Sequence, residues 1–293
     1  MGLRLVYGLK TDDASFLDVF YPSRRLHEAS EALGLDYAAC IHGETSPYER
    51  TLDFCRGNVA LLRGELPMSL YTRLESDGVT VVNGSRATAL AGDKLAAALH
   101  FASLDSRHPS TIEIMATPQA HQEPPPMPYP FIVKPRFGKM GRGVELIETA
   151  HQWAAFMASD GFKKTSYIAQ EYLPASHGRD VRFFFALFES KRQEAPYIVA
   201  MRHGDALASN THMGGSMERF NPPPSLVAEA ERIYASSGLQ YGSVDFLFAD
   251  HRGDAFAVCE TNACPGFEAL EAMSGVDVAR AILLSALGQE GRR

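Results

Sequence analysis

The chain has 293 residues, 45% of them hydrophobic and 22% charged, with a formal net charge of −7. That length buries a large core and suits two or three lobes, while the acidic balance argues against a general binder of nucleic acid or anionic membrane. No apolar run approaches the roughly 18 residues of a membrane-spanning helix, and the opening MGLRLVYGLKTDD has no signal-peptide cleavage pattern.

In chain order, a buried strand over 3–7 precedes a helix over 24–33, with Ser23 as N-cap and Gly34 as its stop. Strands over 35–41, 59–62 and 79–82 are interleaved with a helix over 67–76 that Gly78 closes. Strand, helix and strand at short intervals predict a parallel sheet with crossover helices. An Ala- and Leu-rich helix is predicted over 87–104, with Asp93 and Lys94 near its start. The stretch HQEPPPMPYP (121–130) holds five prolines and predicts an exposed connection. A strand over 131–133, a glycine-rich loop, a helix over 151–159 and a strand over 167–169 follow. Strands over 181–188 and 197–201 read as a hairpin, and 221–224 is a proline break before a helix over 225–236. Strands over 243–249 and 255–259 flank a turn at 250–254, and a helix over 276–287 ends the pattern. The expected class is α/β, in three lobes: 1–86, 87–170 and 171–293.

Cys40, Cys55, Cys259 and Cys264 form no CxxC pair, so reduced thiols in a cytoplasmic protein are expected. The glycine loop KPRFGKMGRGV (134–144) is not a Walker loop, because its lysine precedes the glycines. Its backbone N–H groups and its cations Lys134, Arg136, Lys139 and Arg142 suit wrapping a polyphosphate, although alone it reads equally well as a basic surface turn. In CETNACPGF (259–267) Glu260 and Asn262 lie two apart at a strand end, so they share a face and offer hard oxygens of the kind Mg²⁺ prefers. Strand alternation puts Cys259 on the other, packing face. Asp245 lies on the partner arm of the same hairpin, and one of its registers sets it opposite Glu260; two such carboxylates repel unless a cation lies between them. Asp180 and Arg182 share a face, as a grip on ribose or phosphate or as a plain surface ion pair.

The ordered set of Asp93–Lys94, Lys134 with its glycine loop, Gln170–Glu171–Tyr172, Asp180 with Arg182, Ser209–Asn210, Asp245, and Glu260 with Asn262 resembles the ATP-grasp superfamily. Within it the chain looks like the RimK-type glutamate and amino-acid ligases. The resemblance implies ATP clamped between two α+β lobes behind an N-terminal parallel-sheet lobe. Lys94 and Lys134 would contact phosphates, and Gly138, Lys139, Gly141 and Gly143 would form the lid. Gln170, Glu171 and Tyr172 would border the adenine at the hinge, and Asp180 would hold the ribose. Asp245, Glu260 and Asn262 would hold two Mg²⁺ (or Mn²⁺) ions, Arg202 would face the transferred phosphoryl group, and Ser209 and Asn210 would lie nearby. The implied reaction joins a carboxylate to an amine through an acyl phosphate, with Arg202, Lys134 and Asn262 as its catalytic residues. The substrates would be an amino acid, a peptide or a small biosynthetic intermediate, with no nucleic acid or membrane involved. Relatives are often dimers or tetramers.

One departure stands out. RimK-type enzymes usually carry arginines where this chain has Ala208 and Met213, and fewer cations predict weaker binding of an acidic substrate. The segment 111–134 is proline-rich and is expected to hold less ordered structure than in that family. An intramolecular cyclase of a small amino-acid-like molecule and a non-catalytic ATP-binding module are the alternative functions.

Overall fold

The computed structural model describes residues 2–10, 13–115, 124–138, 141–189, 195–204, 207 and 215–288. The first lobe runs β1 (Leu3–Gly8), α1 (Phe16–Val19), α2 (Tyr21–Leu33), β2 (Tyr37–His42), α3 (Tyr48–Cys55), β3 (Val59–Gly64), α4 (Met68–Ser76), β4 (Thr80–Val82), α5 (Ser85–Gly92) and α6 (Lys94–Ser103). Its four strands form the expected parallel sheet, in the order β2-β1-β3-β4.

The next segment comprises β5 (Thr111–Ile114), β6 (Phe131–Pro135), β7 (Glu145–Ile147), α7 (Ala150–Ala158), α8 (Asp160–Lys164) and β8 (Tyr167–Glu171). These strands pair antiparallel in the order β5-β8-β6-β7. The last comprises β9 (Arg179–Phe185), β10 (Tyr197–His203), β11 (Ser216–Arg219), α9 (Pro224–Ser237), β12 (Gly242–Phe248), β13 (Phe256–Asn262), α10 (Glu268–Ser274) and α11 (Val278–Leu287). Its sheet, β11-β10-β9-β12-β13, is antiparallel throughout.

Three apolar clusters bind these layers. Leu3, Leu5 and Leu61 of the first sheet pack with Ile282 and Leu283 of α11 and with Phe184 of β9. On the other face of the third sheet, Phe183, Phe185, Val244 and Phe246 meet Phe101 of α6 and Ile233 of α9. Trp153, Phe156 and Phe162 cover Phe131 and Val133 of the second sheet. Each such side chain contributes about 1.5–3 kcal/mol over leaving it in water. Alternation explains the two-sided third sheet: β9 sends Phe184 one way and Phe183 and Phe185 the other.

Several expectations need correction. The helix expected over 24–33 starts at Tyr21 with Pro22 in its first turn, and Ser23 is a buried helical residue rather than its cap. The helix expected over 87–104 is two helices, because Asp93 takes extended geometry and its carboxylate accepts from the N–H groups of Leu95 and Ala96, capping α6. The segment 111–134 contributes β5 and, as expected, a strand from Phe131; residues 116–123 between them lie outside the described residues. Among the described residues, no helix is long and apolar enough to cross a membrane.

Candidate active site

One face of the third sheet carries a polar stripe across adjacent strands. Strand register sets Arg202 of β10 opposite Asp180 of β9, Arg182 of β9 opposite Asp245 of β12, and Asp245 opposite Glu260 of β13. The side chains follow that order. Arg202 donates through Nε and Nη2 to both oxygens of Asp180, at 2.6 and 2.7 Å, and through Nη2 to Asp245 at 2.9 Å. Arg182 donates a second fork to Asp245, at 2.8 and 2.6 Å. All four residues are buried. Burial alone would raise the Asp245 carboxyl, but Arg182 and Arg202 outweigh it and hold it down at about 2.

Sequence reasoning paired Arg182 with Asp180 or with a ligand; the structure gives it to Asp245 instead. Its partner lies on β12, so only the register of that strand against β9 identifies it. Glu260 differs from its neighbours: it has no ion pair among the described residues.

The hairpin expected to bring Asp245 against Glu260 does so, with a local irregularity. Asp245 pairs with Glu260 and Phe246 with Val258, which leaves Cys259 as an extra residue on β13. Such a bulge breaks the two-residue alternation. Cys259 therefore does not turn away to pack, as alternation predicted. It borders the cleft with Glu260, Thr261 and Asn262, and its Sγ lies 3.9 Å from Lys134 Nζ. Burial pushes its thiol up to about 11, so it stays protonated near neutrality.

The facing wall is the second sheet and its loop. Lys134 is buried on β6, paired with Ile168 of β8 one residue past the end of the β6–β7 pairing. Lys94, the first residue of α6, donates from Nζ to the Gly138 carbonyl at 2.7 Å. Burial lowers its ammonium, with Glu260 opposing and Lys134 adding to the effect. Gly138 and Gly141 border the cleft. Gly143 has φ +71°, and a Cβ there would lie 3.0 Å from Pro135, so the turn admits glycine alone without strain. Arg136 does not face the cleft as a free cation: it forks onto Asp93 at 2.8 and 2.6 Å and reaches Glu113 at 2.7 Å. Asp93 thus caps α6 and anchors the base of the glycine loop.

At the hinge, Gln170 donates to Thr111 Oγ1 at 3.0 Å, Glu171 accepts from the Ser110 N–H at 3.1 Å, and Tyr172 bonds His177 at 2.9 Å. Gln170, Glu171 and Tyr172 border the same cleft as Lys134, Asp180 and Arg202. Lys139, Ser209 and Asn210, together with Ala208 and Met213, lie outside the described residues.

A divalent cation is compatible with the donors present. Among the described residues no three His, Cys, Asp or Glu side chains gather at one point, so the candidate set is two carboxylates and an amide. Glu260 and Asn262 face the cleft, and Asp245 stands opposite Glu260. These are hard oxygen donors, and Glu260 has no ion pair among the described residues, although Lys94 and Arg202 are near enough to feel its charge. Asp245 already serves two guanidinium groups, so a metal there would compete with Arg182 and Arg202 for its oxygens.

Two lobes meeting over a cleft of this composition define an ATP-grasp fold. The chain superposes on a RimK-domain ATP-grasp protein from Sphaerobacter thermophilus with a TM-score of 0.64 at 23% identity, covering 97% of this chain and 100% of that one. Residues 108–286 match the model of the RimK-like ATP-grasp domain. The chain belongs to the RimK-like ATP-grasp family, a family of ATP-using carboxylate–amine ligases. It is 27% identical over 288 residues to a probable alpha-L-glutamate ligase of Trichodesmium erythraeum, covering 90% of this chain and 91% of that protein. A probable alpha-L-glutamate ligase 1 of Shewanella amazonensis is 32% identical over 158 residues, 53% of this chain and about half (49%) of the relative's length.

Proposed function

We propose that the chain is an ATP-dependent ligase that joins a carboxylate to an amine through an acyl phosphate, releasing ADP and phosphate. The observation that carries this reading is the gathering of Lys94, Lys134, Arg202, Glu260 and Asn262 around one cleft. A carboxylate does not acylate an amine in water, because oxide is too poor a leaving group; phosphorylation supplies a better one. That step spreads negative charge over the phosphoryl oxygens, and its main requirement is cationic groups fixed beforehand.

Lys134 on its strand and Arg202 on the opposite sheet meet that requirement from two sides. Arg202 would exchange its single bond to Asp245 for the phosphoryl oxygens, a turn that also loosens the Asp180 fork sharing the same Nη2. Lys94 ties the glycine loop to α6, so phosphate binding at Lys94 and closure of that loop are linked. A closed loop excludes water from the acyl phosphate. Gln170, Glu171 and Tyr172 would border the base, and Asp180, with Ser209, Asn210 and Lys139, would complete the nucleotide site. Asp245, Glu260 and Asn262 would hold Mg²⁺, one or two ions, which supplies charge neutralisation at the phosphates when bound. Of the lobes 1–86, 87–170 and 171–293, the first and last share one apolar core, so closure on the cleft would fall to the second sheet and its loop.

The relatives' name gives L-glutamate as a candidate substrate. Ala208 and Met213, standing where RimK-type enzymes usually have arginines, favour a less acidic amino acid or peptide. The test is phosphate release from ATP across a panel of carboxylates and amines, with mass spectrometry of the product. Release that depends on both co-substrates supports the ligase, release with one bifunctional molecule indicates a cyclase, and nucleotide binding without release indicates a non-catalytic module.

A further inference from the structure

Asn83 lies just past β4, at the carboxyl end of the first sheet, yet all its side-chain bonds go to the third lobe. Its Nδ2 donates to the carbonyls of Tyr241 at 2.9 Å and Ala263 at 2.7 Å. Its Oδ1 accepts from the N–H groups of Gln240 at 2.8 Å and Tyr241 at 3.4 Å. The amide is 2% exposed. Two carbonyls on one side and two N–H groups on the other fix its orientation, a pattern that needs the two donors and the separate carbonyl oxygen of a carboxamide.

Arg63 at the end of β3 does a related job. It is 1% exposed, and its described partners are neutral: Nη1 donates to the Tyr241 hydroxyl and Nη2 to the Pro265 carbonyl, each at 2.9 Å. The rings of Tyr241 and Phe267 flank it, at 5.7 and 5.4 Å. A buried cation bonded to neutral groups is costly, and a purely structural contact of this kind is more cheaply made by apolar side chains.

What these bonds hold is the loop that leaves β13. Asn83 holds Ala263 and Arg63 holds Pro265, so the two bracket Cys264. The Cys264 N–H in turn donates to Asn262 Oδ1 at 2.9 Å, which orients the Asn262 amide. Asn83 also holds Gln240 and Tyr241, just before β12 and three and two residues from Ser243, which pairs with Asn262.

We infer that Asn83 and Arg63 are positioning residues of the first lobe that set the orientation of Asn262, and through it the affinity of the Asp245–Glu260–Asn262 set for a divalent cation. The inference rests on the reading of those three residues as the metal set. Groups that orient metal ligands from the outer shell typically alter metal affinity about 10–100-fold when replaced.

The test is Asn83→Asp, which keeps the size and the accepting oxygen but loses both donors, with Arg63→Lys as a second variant. Leu70→Ala, in the separate core of the first lobe, serves as a control for simple destabilisation. Calorimetry measures binding of a non-hydrolysable ATP analogue in EDTA, then Mg²⁺ or Mn²⁺ binding to the analogue-loaded protein. The expected result for either folded variant is unchanged analogue affinity in EDTA with metal affinity about 10–100-fold weaker, while Leu70→Ala lowers the melting temperature and leaves metal affinity alone. Unchanged metal affinity in a folded variant, or an equal loss in Leu70→Ala, overturns the positioning role. A wild-type protein whose analogue complex binds no metal overturns the metal reading itself, and the positioning role with it.

Discussion

Asp245 and Glu260 stand opposite each other on β12 and β13, yet their surroundings are unequal: Asp245 receives two arginines, and Glu260 receives none among the described residues. The same pair of carboxylates is thus half neutralised by protein and half left for another cation.

That inequality separates two substitutions of the same chemical type. Asp245→Asn leaves Arg182 and Arg202 buried against a neutral amide, and breaking a buried pair in this way costs about 3–5 kcal/mol. Glu260→Gln removes a repulsion of Asp245 but also an attraction for Lys94 and Arg202, so the two largely offset and the metal-free protein changes little in stability. Both abolish ADP release. Thermal melting in EDTA distinguishes them: a marked fall for Asp245→Asn and little change for Glu260→Gln.

Gly242 tests how closely the two strands of the site approach. A Cβ at that position would lie 2.6 Å from the Asn262 carbonyl oxygen. Gly242→Ala therefore displaces the end of β13, with about 1–3 kcal/mol of destabilisation. ADP release falls further than the loss of folded protein explains, as activity per folded molecule at saturating Mg²⁺ will show.

Asp93 sets an acid limit on the base of the glycine loop. Burial raises its carboxyl, but the bond from Arg136 and the N–H groups of Ala96 and Leu95 outweigh that and leave it below the ordinary value. For a carboxylate depressed on folding, the stabilisation is present in full above the unfolded value, about 3.9, and is lost as pH falls through the folded one. Asp93→Ala should thus cost about 1–2 kcal/mol at pH 7, and the gap to wild type in a denaturant titration should narrow only at pH below about 4.

Much of this arrangement was legible in the sequence, for identifiable reasons. Apolar alternation and turn residues marked the strands around Lys134, Asp245 and Glu260, and a two-residue spacing put Glu260 and Asn262 on one face. Four features were not legible. The break at Asp93 is hidden in an Ala- and Leu-rich run whose composition stays helical on both sides. The bulge at Cys259 depends on how β13 pairs with β12, so alternation counted along β13 alone points the thiol the wrong way. The partner of Arg182 sits on a strand some 60 positions later, separated by 63 residues, and only the order of strands in the sheet brings the two together. Short elements such as β7, at three residues, carry too few positions for a period to show.

The most direct test is a crystal structure of the protein with a non-hydrolysable ATP analogue and Mn²⁺, read by anomalous scattering. The account predicts manganese peaks among Asp245, Glu260 and Asn262 next to the terminal phosphates, with Arg202 turned from Asp245 to a phosphate oxygen. An analogue bound in the cleft with Arg202 still on Asp245, and no manganese at Glu260, would contradict it.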